Sequence, residues 1–160
     1  MDRSVLLLAT LHEYQGLPGL QRSVEDPSYA GNIGSCVRSG RIDFVFEEAA
    51  GLGPSTAEQH ANSFLGPGHY LDIDSGRAMP NPFMGPKPIC GFTSISVGMC
   101  RTRENLWFQR VNTRNFKKAL LICGASHSLS FAFRLEDAGF IVELCHHLPY
   151  EKLCKREHVR

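Results

Sequence analysis

The sequence lacks the features that mark several large classes of protein. Lys and Arg together number 17 against 16 Asp and Glu, with no long basic run, so the charge footprint of a nucleic-acid-binding protein is missing. No apolar run approaches the roughly 20 residues of a membrane-spanning helix. The six cysteines form no C-x-x-C pair, and the apolar run 5–9 is too short for the core of a signal peptide. We therefore expect a cytoplasmic protein with reduced thiols that binds neither nucleic acid nor membranes.

What is present is an alternation of short apolar runs and helix-like segments. The runs lie at residues 5–9, 42–46, 69–74, 119–123 and 140–145. Continuous apolar runs of this length are typical of strands that are buried on both faces of a sheet. Strands that alternate with helices predict a single α/β domain over residues 1–160. Its expected architecture is a three-layer sandwich with a mostly parallel central sheet of about five strands.

The first two helix-like segments carry signals of different strength. The weak pattern over residues 20–39 predicts a helix that is interrupted near Gly31 and Gly34. Ser55, followed three residues later by Glu58, resembles a capping box, which predicts a helix that begins there.

The second half of the chain contains one long irregular segment and two further predicted helices. Residues 75–98 are rich in Pro and Gly but keep several apolar and aromatic side chains, which favours an ordered loop or lid over a disordered linker. Residues 99–115 and 128–138 read as helices, and Gly139 stands where a helix often ends.

Ionisable side chains follow or end four of the predicted strands. They are His12, Glu47, Glu48, Asp72, Asp74 and His127. Each alone has an ordinary explanation as a loop or surface residue. The carboxyl ends of parallel strands, however, meet at one edge of a sheet, where open α/β sheets bind ligands. The sequence therefore predicts a functional site at this edge.

Two histidines and one or two carboxylates are a normal ligand set for Zn²⁺, Mn²⁺, Fe²⁺ or Co²⁺. A metal ion with an open position can lower the pKa of bound water and generate a nucleophile near neutral pH. Of Glu47 and Glu48, one would bind the metal and the other would act as the general base. The candidate ligands are His12, Glu48, Asp72 and His127.

Arg103 shares one side of the predicted helix 99–115 with Trp107, the only tryptophan of the chain. This spacing predicts a guanidinium that points inward. An inward arginine could hold a substrate carboxylate or stabilise an oxyanion, so Arg103 joins Glu47 and Glu48 as a candidate catalytic residue.

A competing interpretation makes Ser126 a nucleophile. The turn 124–128 between a strand and a helix resembles the G-x-S-x-G elbow of serine hydrolases, and Asp137 and His146 or His147 follow in the expected order. Against this interpretation, Ser128 stands where the elbow normally has glycine.

A third interpretation is a flavodoxin-like binding module without catalysis. In such a module the glycine turn and the helix after it would hold an anion. This interpretation leaves His12 and the two glutamates without a role.

Four short motifs follow one another in an order that resembles a known family. They are Ala9-Thr10-Leu11-His12, Glu47-Glu48, Arg103-Glu104-Asn105 with Trp107, and Gly124-Ala125-Ser126-His127. They resemble the first G-x-x-H, the acidic pair, the R-x-N helix and the second G-x-x-H of the TraB/Tiki superfamily. That group takes in proteins related to erythromycin esterase and the ChaN haem-binding lipoproteins. Ala9 stands in place of the first glycine.

The resemblance implies a metal-dependent hydrolase of peptidase or esterase type. It implies that His12, His127 and Glu47 or Glu48 are metal ligands or catalytic groups, and that Arg103 binds substrate or stabilises charge. The expected cofactor is a divalent ion (Mn, Co or Zn), and the expected substrate is a small molecule or a peptide.

Overall fold

The computed structural model describes residues 2–10, 27–49, 54–74 and 94–147. In chain order its elements are β1 (Ser4–Thr10), α1 (Pro27–Arg38), β2 (Phe44–Glu47), α2 (Thr56–Phe64), β3 (Tyr70–Asp72), α3 (Ser94–Asn112), β4 (Lys118–Gly124), α4 (Ser128–Asp137) and β5 (Ile141–His147). The strands form one parallel sheet in the order β3-β2-β4-β1-β5. The predicted α/β fold is confirmed. Within the described ranges no helix is long and apolar enough to span a bilayer.

The sheet is covered by a pair of helices on each face. In β4, Leu120 and Ile122 pack with α1 and α2, whereas Leu121 and Cys123 pack with α3 and α4. We call these the α1–α2 face and the α3–α4 face. Because both faces of β4 are buried, its sequence has to be apolar at every position, and this is why the strand reads as a continuous apolar run.

The order of the strands places a topological switch point between the carboxyl ends of β2 and β4. The chain leaves β1 and β2 through α1 and α2 and moves toward the β3 edge of the sheet. It leaves β3 and β4 through α3 and α4 and moves toward the β5 edge. The chain therefore leaves the neighbouring strands β2 and β4 toward opposite faces of the sheet. Such a switch point is where doubly wound sheets bind ligands.

The predicted interruption of the first helix is wrong, since α1 runs through both Gly31 and Gly34. Gly34 lies where α1 packs against α2, and a Cβ atom added there would come within 3.1 Å of the His60 ring. Gly34 permits the close approach of α1 and α2 and does not mark the end of a helix. The part of the prediction over residues 20–26 lies outside the described residues.

Several predicted boundaries also need correction. The strands predicted at residues 42–46 and 69–74 cover Phe44–Glu47 and Tyr70–Asp72. Helix α3 begins five residues before Met99, so the end of the predicted loop 75–98 is helical, and residues 75–93 lie outside the described part of the chain. Helix α3 ends at Asn112 and not at residue 115. Strand β5 continues through His146 and His147, because β1 pairs with it along its whole length as far as Thr10 opposite His147.

Alanine substitutions at Gly31 and Gly139 test the backbone conformation at these two positions. A methyl group added at either position would meet no atom within 4 Å, so its effect on stability comes from the backbone and not from a clash. Gly139 has a φ of +86°, which costs an alanine about 1–2 kcal/mol. Gly31 lies inside α1, where alanine is favoured by about 1 kcal/mol. We expect Gly139→Ala to lower and Gly31→Ala to raise the free energy of unfolding in urea titrations. Effects of the same sign would contradict these conformations.

Candidate active site at the ends of β2 and β4

Glu48 is a fully buried carboxylate that lies at the switch point between β2 and β4. It directly follows β2, and its backbone N–H donates to the carbonyl of Ile122 in β4 at 2.8 Å. Its Oε2 accepts a hydrogen bond from the N–H of Gly124 at 2.8 Å. Its Oε1 accepts one from Nη2 of Arg103 at 2.6 Å. A charged group at this depth is stable only with such partners.

Arg103 is held between two carboxylates. Besides Glu48 it contacts Asp74, with Nη2 2.7 Å from Oδ2 and Nε 3.4 Å from Oδ1. Its guanidinium lies over the ring of Trp107 at 5.0 Å. Burial acts to lower the pKa of Arg103, but the charges of Glu48 and Asp74 outweigh it and raise the pKa. The predicted inward guanidinium is confirmed, and with 32% of its side chain exposed it also reaches the surface.

His127 is buried and held by a second carboxylate. Its Nδ1 lies 2.9 Å from Oε1 of Glu104, and the hydroxyl of Ser130 donates to the same oxygen at 2.7 Å. The Trp107 ring meets the imidazole edge-to-face with 5.0 Å between centroids. Trp107 therefore contacts both Arg103 and His127.

Cys123 is a buried residue of β4 on the α3–α4 face. Burial raises the pKa of its thiol well above the ordinary value, and the charges of Glu48 and Glu104 raise it further. The thiol therefore stays protonated, which excludes it as a nucleophile near neutral pH. Because both carboxylates act on the same sulfur, Glu48 and Glu104 border one region.

Glu47 lies on the opposite, α1–α2 face of the sheet, since successive residues of a strand point to opposite sides. Its Oε2 accepts hydrogen bonds from the hydroxyls of Ser55, the residue that caps α2, and of Tyr70, the latter at 2.8 Å. Burial raises the pKa of Glu47 to about 7 against the lowering effect of these two hydroxyls, and the charge of Asp72 adds to the increase. Glu47 is thus not brought together with Arg103 and His127.

Asp72 connects the ends of β2 and β3. Its Oδ1 accepts hydrogen bonds from the backbone N–H groups of Ala49 at 3.2 Å and Asp74 at 2.9 Å. The second bond turns the chain at the end of β3 and directs Asp74 toward Arg103. Asp74, two residues beyond the end of β3, is therefore the acid that contacts Arg103. Asp72, the last residue of β3, lies in register with Glu47.

The described residues do not by themselves complete the predicted metal site. Both oxygens of Glu48 and one of Asp72 already accept hydrogen bonds. In the described ranges no three His, Cys, Asp or Glu side chains are grouped in a way that could hold an ion. His12, the fourth predicted ligand, lies outside these ranges.

Glu104 is the main residue that the sequence interpretation missed. A signal for it existed, since Glu104, Trp107 and Val111 follow the i, i+3, i+7 spacing of one helix face. All three are buried. Its partner His127 lies 23 residues further along the chain, and no local pattern connects the two.

The turn that begins α4 presents Ser126 and His127 differently. Ser126 is exposed and His127 is buried. A nucleophile elbow holds its serine in a strained turn, but no non-glycine residue of the described part has a positive φ. His146 and His147 belong to β5 and do not follow it. The geometry favours His127 over Ser126 as the reactive residue of the turn.

Comparisons of the chain with protein-family models, with curated proteins and with solved structures find no match. The site geometry and the resemblance of the four motifs are therefore what support a function.

Glu47 makes stability depend on pH in a defined direction. Its raised pKa means that the folded protein holds a proton which the unfolded chain releases between about pH 4.5 and about pH 7. Wild-type stability should therefore fall through this window, by up to about 3 kcal/mol. Glutamine cannot ionise. We therefore expect the free energy of unfolding of Glu47→Gln, measured by denaturation at several pH values, to lack this decrease. The exposed Glu136→Gln is the control. A pH-independent difference between Glu47→Gln and wild type would contradict the assignment.

Proposed function

We propose that the protein is a hydrolase whose active site lies around Glu48, Arg103 and His127. The observation that carries the proposal is a buried histidine held by one carboxylate, beside an arginine held by two, at the switch point of a parallel sheet. Ligands bind at such points, and clustered buried charges are typical of active sites. The resemblance to the TraB/Tiki motifs supports the same residues, because all three are motif positions.

The proposed roles follow from the contacts. His127 either takes a proton from the attacking water or binds an ion that activates this water; both roles need a ring nitrogen without hydrogen. Arg103 stabilises the negative charge that develops on the substrate oxygen, since its charge is fixed in place and partly exposed. Glu48 holds Arg103 in this position. The proposed substrate is an ester or a peptide, and the proposed setting is the cytoplasm.

A divalent ion is the proposed cofactor: the family resemblance implies Mn or Co, and the predicted ligand set also suits Zn. His12 and His127 would hold it together with a carboxylate, and it would supply an acidified bound water near neutral pH. Because the described residues do not complete such a site, the metal requirement needs a test apart from hydrolysis itself.

Hydrolysis should depend on His127. We expect the wild-type protein to cleave members of a panel of ester and peptide reporters, and His127→Gln to reduce kcat/KM by about 10²–10⁴-fold because proton transfer or ion binding is lost. His69→Gln is the matched control, since His69 is exposed and directly precedes β3, at the opposite end of the strands from the proposed site. Undiminished turnover by His127→Gln would place the reaction elsewhere, and no cleavage of any reporter would refute the hydrolase.

Removal of metal should abolish this hydrolysis. We expect chelator-treated protein to regain activity with Mn²⁺, Co²⁺ or Zn²⁺, and His127→Gln to retain less metal in elemental analysis. Trp107 gives a direct measure of binding, because the only tryptophan of the chain contacts His127. Its fluorescence should change during metal titration of wild type. Full activity of metal-free protein would refute the metal requirement and leave the hydrolase standing.

A further inference from the structure

Glu104 contacts the histidine of the proposed site, although no role for it follows from the motifs. It is 6% exposed and follows Arg103 directly in α3. Arg103 and Glu104 nevertheless have separate partners. The arginine binds Glu48 and Asp74, and the glutamate binds His127 and Ser130. The charge of Glu104 is thus directed at the imidazole and not at its neighbour.

We propose that Glu104 is a positioning residue that keeps the hydrogen of neutral His127 on Nδ1, so that Nε2 is the nitrogen with a lone pair. Oε1 of Glu104 accepts a hydrogen bond from the Ser130 hydroxyl at 2.7 Å, and an ionised carboxylate has acceptors only. The His127 Nδ1 that faces the same oxygen at 2.9 Å must then be a donor. The tautomer is inferred from the contacts of the Glu104 carboxylate, and the use of Nε2 in catalysis rests on the proposed hydrolase.

The surroundings of His127 keep its ring in this orientation. The backbone N–H of His127 donates to Gly124 at 2.9 Å, and its carbonyl accepts from Phe131 at 3.0 Å. Trp107 lies one helical turn from Glu104 and packs against the imidazole. Helix α3 therefore supplies both the acceptor for Nδ1 and the wall against the ring.

A carboxylate at Nδ1 serves either role proposed for His127. Histidines that bind metal ions commonly donate their other N–H to a carboxylate, which fixes the tautomer and the ring orientation. Histidines that act as bases use the same arrangement, in which the carboxylate stabilises the imidazolium that forms. Glu104 is expected to contribute to catalysis through His127 and not through contact with substrate.

The first test is a nitrogen NMR spectrum of the full-length wild-type protein with ¹⁵N-labelled histidine, at a pH where imidazole is neutral. Of the seven histidines, His127 is identified by the signals that disappear in His127→Gln. We expect Nδ1 to show the shift of a protonated nitrogen and Nε2 that of an unprotonated one. The reverse pattern would overturn the proposal. The result needs neither substrate nor a folded Glu104 variant.

The second test compares Glu104→Leu with Glu136→Leu, which removes the same charge from the exposed end of α4. Without its acceptor, His127 should move toward the Nε2–H tautomer, and kcat should fall by about 10–100-fold with little change in KM. An unchanged tautomer in folded Glu104→Leu would overturn the proposal. A fixed Nδ1–H tautomer in a wild-type protein that hydrolyses nothing would refute the proposed function and leave the positioning role in place.

Discussion

The ion pair between Glu48 and Arg103 is the interaction on which the arrangement of the carboxyl edge depends. A carboxylate that is fully buried costs several kcal/mol unless a partner and hydrogen bonds compensate it. The Gly124 N–H supplies part of this compensation from β4. The opposite charge comes from Arg103, so α3 has to cross the ends of β2 and β4 at this point.

The position of α3 set by that pair also determines the surroundings of His127. Once Arg103 reaches Glu48, the next residue and the residue one turn further, Glu104 and Trp107, come to lie against the turn before α4. The contacts of Glu104 and Trp107 with His127 therefore both follow from the position of α3. A shift of α3 by a single residue would separate both charge groups from their partners at the same time.

The strands and the inward arginine could be predicted from sequence because their signals are local. Burial on both faces produces continuous apolar runs, and the spacing of Arg103 and Trp107 places both on one side of a helix. The role of Gly34 could not be predicted, because it depends on how closely a second helix approaches. The partnership of Glu104 with His127 is likewise a tertiary contact. The pairing of Glu47 with Glu48 in one site failed for a different reason, since alternation in a strand already separates the two carboxylates.

This separation gives the two glutamates different physical tasks. Strand β2 ends between two helix layers, so each layer receives one acid from the same strand end. Glu47 accepts hydrogen bonds from the hydroxyls of Ser55 and Tyr70, and burial raises its pKa to about 7, which makes it a polar link between α2 and β3. Glu48 contacts the guanidinium of Arg103 and acts as a fixed charge at the switch point. A change at Glu47 therefore acts on stability, whereas a change at Glu48 acts both on stability and on the position of Arg103, and hence on the proposed site.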